Sequence, residues 1–172
     1  MPTLIKSAGP GFVLADDAFV LLDDETADPG GDILVSLARY LSEGEALASG
    51  RTGRLGVLLR PEDEVEALEA RLAGVDMVAV DFPKFRDGRG FTAARLLRSR
   101  LGFRGEVRAV GDVLRDQAGF MVRCGFDAFI PADGSGPAEW AEAAGRHRHV
   151  YQRAADGRAP AFVERRGNQD GL

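Results

Sequence analysis

The stretch Asp76–Ile130, DMVAVDFPKFRDGRGFTAARLLRSRLGFRGEVRAVGDVLRDQAGFMVRCGFDAFI, decides how this chain folds. It reads as strand, charged loop, helix, strand, charged turn, helix and strand, with polar residues gathered where strands end and helices begin. Successive βα units joined by short loops imply a parallel sheet with right-handed crossovers. Proteins built this way carry their sites at the carboxyl edge of the sheet. The stretch is therefore expected to bring Asp81, Lys84, Asp87, Arg89, Asp112 and Arg115 toward one rim.

The pattern extends in both directions. Just upstream, Leu55–Leu59 is an apolar run suited to a strand buried on both faces, and Pro61 followed by acidic residues reads as a helix start. Val65, Leu68 and Leu72 then share a helical face, and Gly74 ends the helix. Within the stretch, Ala93, Leu96, Leu97 and Leu101 repeat at helical spacing, and Val113–Cys124 reads as a helix closed by Gly125. Downstream, Gly136, Pro137 and Glu139 start a final helix with Trp140, Ala144 and Tyr151 on one side. Nearer the start, the turn at Asp28–Gly31 leads into Ile33–Leu41, a strand passing into a helix, and Ala18–Leu22 reads as a short strand. Residues 153–172 are polar and are expected to form a mobile tail.

The expectation is a single α/β domain over residues 1–152, most regular over 55–130, with a mostly parallel sheet of four or five strands. An open, flavodoxin-like sheet is preferred over a partial β/α barrel, because four βα units cannot close a barrel alone. A homodimer that completes a barrel is the alternative.

A chain of 172 residues is long enough to bury about 70% of its unfolded surface without covalent staples. Its one cysteine, Cys124, allows no internal bridge and suits a reducing compartment. No charged leader or bilayer-length apolar run occurs, so a cytoplasmic, membrane-free protein is expected. The net charge of −5 argues against nucleic acid as a partner, since that binding needs a basic face. His147 and His149 are two residues apart and face different directions, and no Cys or His cluster supports a metal site. No cofactor is evident.

The string DFPKFRDGRGFTAARLLRSRLGFRGEVRAVGDVLRDQAGFMVRCGFDAF closely resembles the signature of a bacterial family of unknown function. Its members are commonly described as probable oxidoreductases of sulfite reduction because their genes often sit beside assimilatory sulfite reductase. The resemblance is strong over Leu55–Ile130, where RAVGDVLRDQ and RCGFDAF are long and unusual strings. It is looser in VLLDDE and LARYL. It implies a role in assimilatory sulfite reduction, with sulfite reductase as the partner.

Two charged clusters are the candidate chemistry. In the first, Gly88 and Gly90 can adopt φ > 0 and present backbone N–H groups at a helix start, with Lys84, Arg86 and Arg89 around them. That reads as a pocket for a small oxyanion such as sulfite, sulfate or a phosphate. The plainer alternative is a turn in which Asp81 and Asp87 pair with those cations. Gly88, Gly90 and Ala93 also have the G-x-G-x-x-A spacing of a dinucleotide site. Six residues separate the strand from Gly88, however, and Arg89 adds bulk where that fold tolerates little.

The second cluster is Arg108, Asp112, Arg115, Asp116 and Gln117. Asp112 reads as the N-cap of the next helix, while Arg115 and Asp116 could face Asp81 across the rim. Arg108 and Gln117 join the anion-binding candidates. Asp81, Lys84, Asp112, Arg115 and Asp116 are the candidate catalytic residues, with no nucleophile to fix a reaction. Asp81, Pro83 and Gly88 superficially resemble a response-regulator receiver, with Asp23–Glu25 as its acids. The hydroxyl and lysine that phosphotransfer needs are absent after the later strands, so only the topology is comparable. Cys124, at a helix C-terminus, reads as buried and structural.

The leading expectation is an accessory protein of assimilatory sulfite reduction that binds a small oxyanion or docks on the reductase. An enzyme acting on a phosphorylated or anionic metabolite and a pure interaction module are the alternatives.

Overall fold

Two antiparallel strands, β1 (Leu4–Ala8) and β2 (Gly11–Ala15), open the chain in the computed structural model, which describes residues 3–9 and 11–167. After them come β3 (Val20–Leu21), β4 (Ile33–Ser36), α1 (Leu37–Ala48), β5 (Leu55–Leu59) and a 3-10 turn at Val65–Leu68. The central stretch supplies β6 (Met77–Phe82), α2 (Arg89–Ser99), β7 (Glu106–Gly111), a 3-10 turn at Arg115–Gln117, α3 (Ala118–Cys124) and β8 (Ala128–Phe129). Two helices follow, α4 (Pro137–Gly145) and α5 (Ala161–Gly167). Among the described residues, no helix is long and apolar enough to cross a membrane.

Among the described residues all eight strands join one sheet in the order β2-β1-β8-β7-β6-β5-β4-β3. From β3 to β8 every pairing is parallel, and β1 pairs antiparallel with both β8 and β2. The expected flavodoxin-like arrangement is corrected here, because such a sheet reverses its strand order once and places helices on both faces. The parallel strands of this chain advance in one direction throughout. Right-handed crossovers then stack the helices on one side, which is the construction of a β/α barrel. The result is a curled half-barrel of eight strands rather than an open sheet of four or five.

The curl has a direct geometric cause. The edge strands β2 and β3 are joined by only four residues, Asp16–Phe19. A flat eight-stranded sheet would hold them roughly 33 Å apart at about 4.8 Å per strand, whereas five residue steps reach at most about 18 Å. The edges must therefore bend toward each other.

Apolar side chains on both faces of the strands account for the unbroken apolar runs. On β6, Val78 and Val80 face the helices, while Met77 and Ala79 join Leu34 and Leu58 on the other face under Phe19. The helix side holds the larger core, in which Phe12, Phe129 and Trp140 pack edge-on or tilted at centroid distances of 4.6–5.9 Å. Trp140 satisfies its buried indole N–H by donating to Ser135 Oγ at 2.9 Å.

The concave face also carries charge. Arg108 on β7 is only 2% exposed; it donates to Glu106 Oε1 and to Asp17 Oδ1 of the connector, each at 2.7 Å. Lys6 completes the group by pairing with Glu106 at 2.6 Å. The guanidinium groups of Arg54 and Arg108 lie 4.6 and 5.2 Å from the Phe19 ring centroid. A buried cation persists only when paired, and here the pairing ties the connector down inside the curl.

At the amino edge a repeated device anchors alternate strands. Asp32, Asp76 and Asp127, each immediately before β4, β6 and β8, accept the backbone N–H of Arg54, Leu55 and Val107 at 2.7–2.9 Å. That edge is occupied by stabilising contacts, which leaves the opposite edge for function.

Several local expectations are corrected. The helix expected from Pro61 is reduced to the Val65–Leu68 turn. Asp63 accepts the Arg60 N–H, Glu64 is extended, and Ala70 has a φ of +62°, so helical geometry cannot run through. Asp112 does not cap α3, because the chain continues past it to the 3-10 turn and α3 begins at Ala118. Tyr151 lies beyond the end of α4 and is exposed, whereas Trp140 is fully buried. Gly125, at φ +106°, ends α3 as expected, and Glu139 accepts the Gly136 N–H at the start of α4. The segment read as a tail carries α5 and an ion pair from Asp156 to Arg123 at 3.0 Å; residues 168–172 of it lie outside the described residues.

Candidate functional site

Parallel pairing of β6 with β7, in the register Asp81↔Val110 and Phe82↔Gly111, sets the two charged clusters on adjoining loops at the carboxyl edge. The Asp112 N–H donates to Phe82 O. The Asp112 carboxylate accepts the Phe85 N–H at 2.9 Å, and Gln117 Nε2 donates to Phe85 O at 3.1 Å. One cluster thus braces the backbone of the other. Gln117 Oε1 is buried without a hydrogen-bond partner among the described residues.

Within the first loop the cations divide. Arg89 forks onto Asp87, with Nε–Oδ1 at 3.0 Å and an Nη2–Oδ2 contact of 2.6 Å. Those hydrogen bonds hold the Asp87 carboxyl at a pKa of about 2. Asp87 Oδ1 also accepts the Arg89 N–H at 3.2 Å, so the chain's own carboxylate supplies negative charge at the start of α2. Lys84 and Arg86 form no ion pair among the described residues, and between them Phe85 is 38% exposed.

Neither glycine serves the backbone role expected of it. Gly88 has φ −82° and open space around its missing side chain. Gly90 is a packing position, since a Cβ there would stand 2.6 Å from Phe82 Cζ.

The rest of the second cluster faces elsewhere. Arg115 pairs with Glu139 at 2.8 Å and approaches Asp133 at 3.9 Å, turning toward α4 rather than Asp81. Asp116 meets Arg146 at 3.5 Å. Arg108 sits mid-strand in the concave network, away from the rim. Asp81, Lys84, Asp112 and Gln117 are therefore grouped at the β6 and β7 loops, while Arg108, Arg115 and Asp116 are engaged in other contacts.

Asp81 lines a cleft of about 310 Å³ between the Val65–Leu68 turn and α2. Burial pushes its carboxyl up, against the pull of Arg60 and with the support of Glu62 and Asp87. Arg60, on the same cleft, follows directly on β5 and was overlooked in the sequence; its place after the apolar run LGVLL was the available signal. Also overlooked was the contact at the end of β4, where Ser36 Oγ donates to Asp24 Oδ1 at 2.6 Å and accepts the Arg39 N–H at 3.1 Å. Buried Arg39 there donates to Asp23 O at 2.7 Å. Among the described residues no group of three His, Cys, Asp or Glu side chains is arranged to hold a metal.

A half-barrel of βα units with a charged carboxyl rim defines the class. Residues 56–162 match the family described as Bacterial protein of unknown function (DUF934), and the chain belongs to that family. The match continues past Ile130 through α4 and into α5. No curated protein matches the chain.

Proposed function

We propose that this protein is an accessory factor of assimilatory sulfite reduction that docks on the reductase through the loop Lys84–Phe85–Arg86. The observation that carries the reading is the division of cations on the rim. Arg89 and Arg115 each have a carboxylate partner, whereas Lys84 and Arg86 have none among the described residues. Their loop is held by two hydrogen bonds to the Phe85 backbone, so a partner would meet a preorganised surface and lose little entropy in ordering it. Two cations flanking a half-exposed aromatic suit an acidic surface with an apolar centre. The metabolic setting rests on the family resemblance.

Pull-down with assimilatory sulfite reductase tests this. Lys84→Ala with Arg86→Ala should abolish capture at low salt without lowering Tm, and wild-type capture should weaken as salt rises. Capture that survives the double substitution would overturn the docking surface. A melting shift with millimolar sulfite or sulfate, lost in the same variant, would assign the two cations to a small oxyanion instead.

A second reading, an enzyme on a small anionic metabolite, is favoured by the half-buried Asp81 in its cleft, since catalytic carboxyls are commonly desolvated. Screening anionic metabolites for turnover that Asp81→Asn removes tests it.

A further inference from the structure

The cleft beside Asp81 has a composition that neither docking nor packing explains. Its floor is apolar, with Val65, Val80, Ala93 and Leu96, and its volume of about 310 Å³ lies at the small end of the range for ligand sites. Among the charged residues that line it are Arg60 and Asp81, the ones that follow directly on adjacent strands. Asp81 accepts no hydrogen bond from any described residue although it is half-buried, and a desolvated carboxylate without donors is costly. Arg60 forms no ion pair among the described residues. The two do not satisfy each other, as no Arg60–Asp81 contact lies within salt-bridge distance. Of the other charges lining the cleft, Arg89 is engaged with Asp87, Glu66 with Arg100 and Asp63 with the Arg60 N–H, while Glu64 is exposed to solvent.

Position makes the pair complementary to one kind of molecule. Leu59 and Val80 are partners in the parallel register, so Arg60 and Asp81 come next on adjacent strands about 4.8 Å apart. Side chains rooted at neighbouring positions of adjacent strands can reach the two ends of a single α-amino acid head group. On its other side Asp81 Oδ1 packs against Gly111, where a Cβ would lie 2.6 Å away.

We propose that this cleft binds a small apolar α-amino acid, its ammonium on Asp81, its carboxylate on Arg60 and its side chain over Val65, Ala93 and Leu96. The site is separate from the Lys84–Arg86 loop and stands whether or not that loop docks.

Titration calorimetry of the full chain with L-leucine tests the assignment, with isopentylamine and 4-methylpentanoate as probes lacking one charge each. Saturable L-leucine binding with a Kd of about 1 mM or tighter is expected. Each single-charge probe, and each of Asp81→Asn and Arg60→Ala, should weaken binding at least about tenfold, equivalent to 1.4 kcal/mol. Circular dichroism checks that both variants fold, and Lys84→Ala with Arg86→Ala should bind L-leucine like wild type. Absence of saturable binding by L-leucine, L-valine and L-methionine would overturn the proposal. So would isopentylamine binding as tightly as L-leucine, or Arg60→Ala leaving the affinity unchanged.

Discussion

Gly88 and Gly90 stand two residues apart at the start of α2 and have opposite tolerances. An alanine at Gly90 would press on Phe82, which is fully buried and has no room to retreat. Gly90→Ala should therefore cost about 1–3 kcal/mol in urea denaturation. Gly88→Ala should stay within about 0.5 kcal/mol, as expected at an exposed site with ordinary φ. Asp81 and Asp87 form a second contrast, in pH. The folded-state pKa of Asp81 is raised above 3.8, so its contribution to stability is fully present in acid and is lost as pH rises through the raised value. Asp81→Asn should raise Tm at neutral pH, with the gain disappearing below 3.8. Asp87 has the reverse sign. It contributes stability above 3.8 that is lost as pH falls toward about 2, so Asp87→Asn should lower Tm at neutral pH and match wild type in strong acid. Thermal melts across pH check both. These residues were legible as a charged rim, but the sequence could not divide the cations into paired and unpaired ones, because Arg89 finds its carboxylate two residues away while Arg115 finds one twenty-four residues away.

At the scale of elements, the loop after β6 owes its form to the loop after β7. Removing the Asp112 carboxylate leaves the Phe85 N–H without its acceptor, a change worth about 1 kcal/mol locally. Hydrogen exchange should therefore quicken across residues 84–88 in Asp112→Ala, while amides of β6 and β7 keep their protection. Unchanged exchange there would mean that the loop is rigid for other reasons. The strands and helices of the central stretch were readable because apolar runs and helical spacing recur in each unit, with Gly125 and Gly136 marking ends and starts. The unit after β5 misled, since Val65, Leu68 and Leu72 repeat at helical spacing while Ala70, with φ +62°, breaks the backbone between them. The antiparallel pair β1 and β2 went unseen as well; each is only five residues long, too short for alternation to outweigh the flanking glycines.

For the whole molecule, the strand order could not be read from local pattern, because open and curled sheets are built from the same βα units. What distinguishes them is where the first strands attach. Here they extend one edge beside β8, and the connector then returns to the other edge at β3. The ionic group under that return is the main polar commitment of the interior. Arg108→Ala would strand Asp17 and remove the cation beside Phe19, at a cost of about 3 kcal/mol. Arg108→Met, which keeps the volume, should recover part of the loss in urea denaturation.

Asp16–Phe19 works as a bowstring, and the sheet is the bow. Its shortness fixes how far the arc can open, so the spread of every loop along the working rim is governed by four residues. Splicing a flexible Gly-Ser hexapeptide between Asp16 and Asp17 should leave circular dichroism intact and enlarge the radius of gyration in small-angle scattering. An unaltered radius would mean that the strands coil to this shape unaided. If the arc does relax, slackening the string becomes a way to retune the distances among the rim loops without altering a single residue on them.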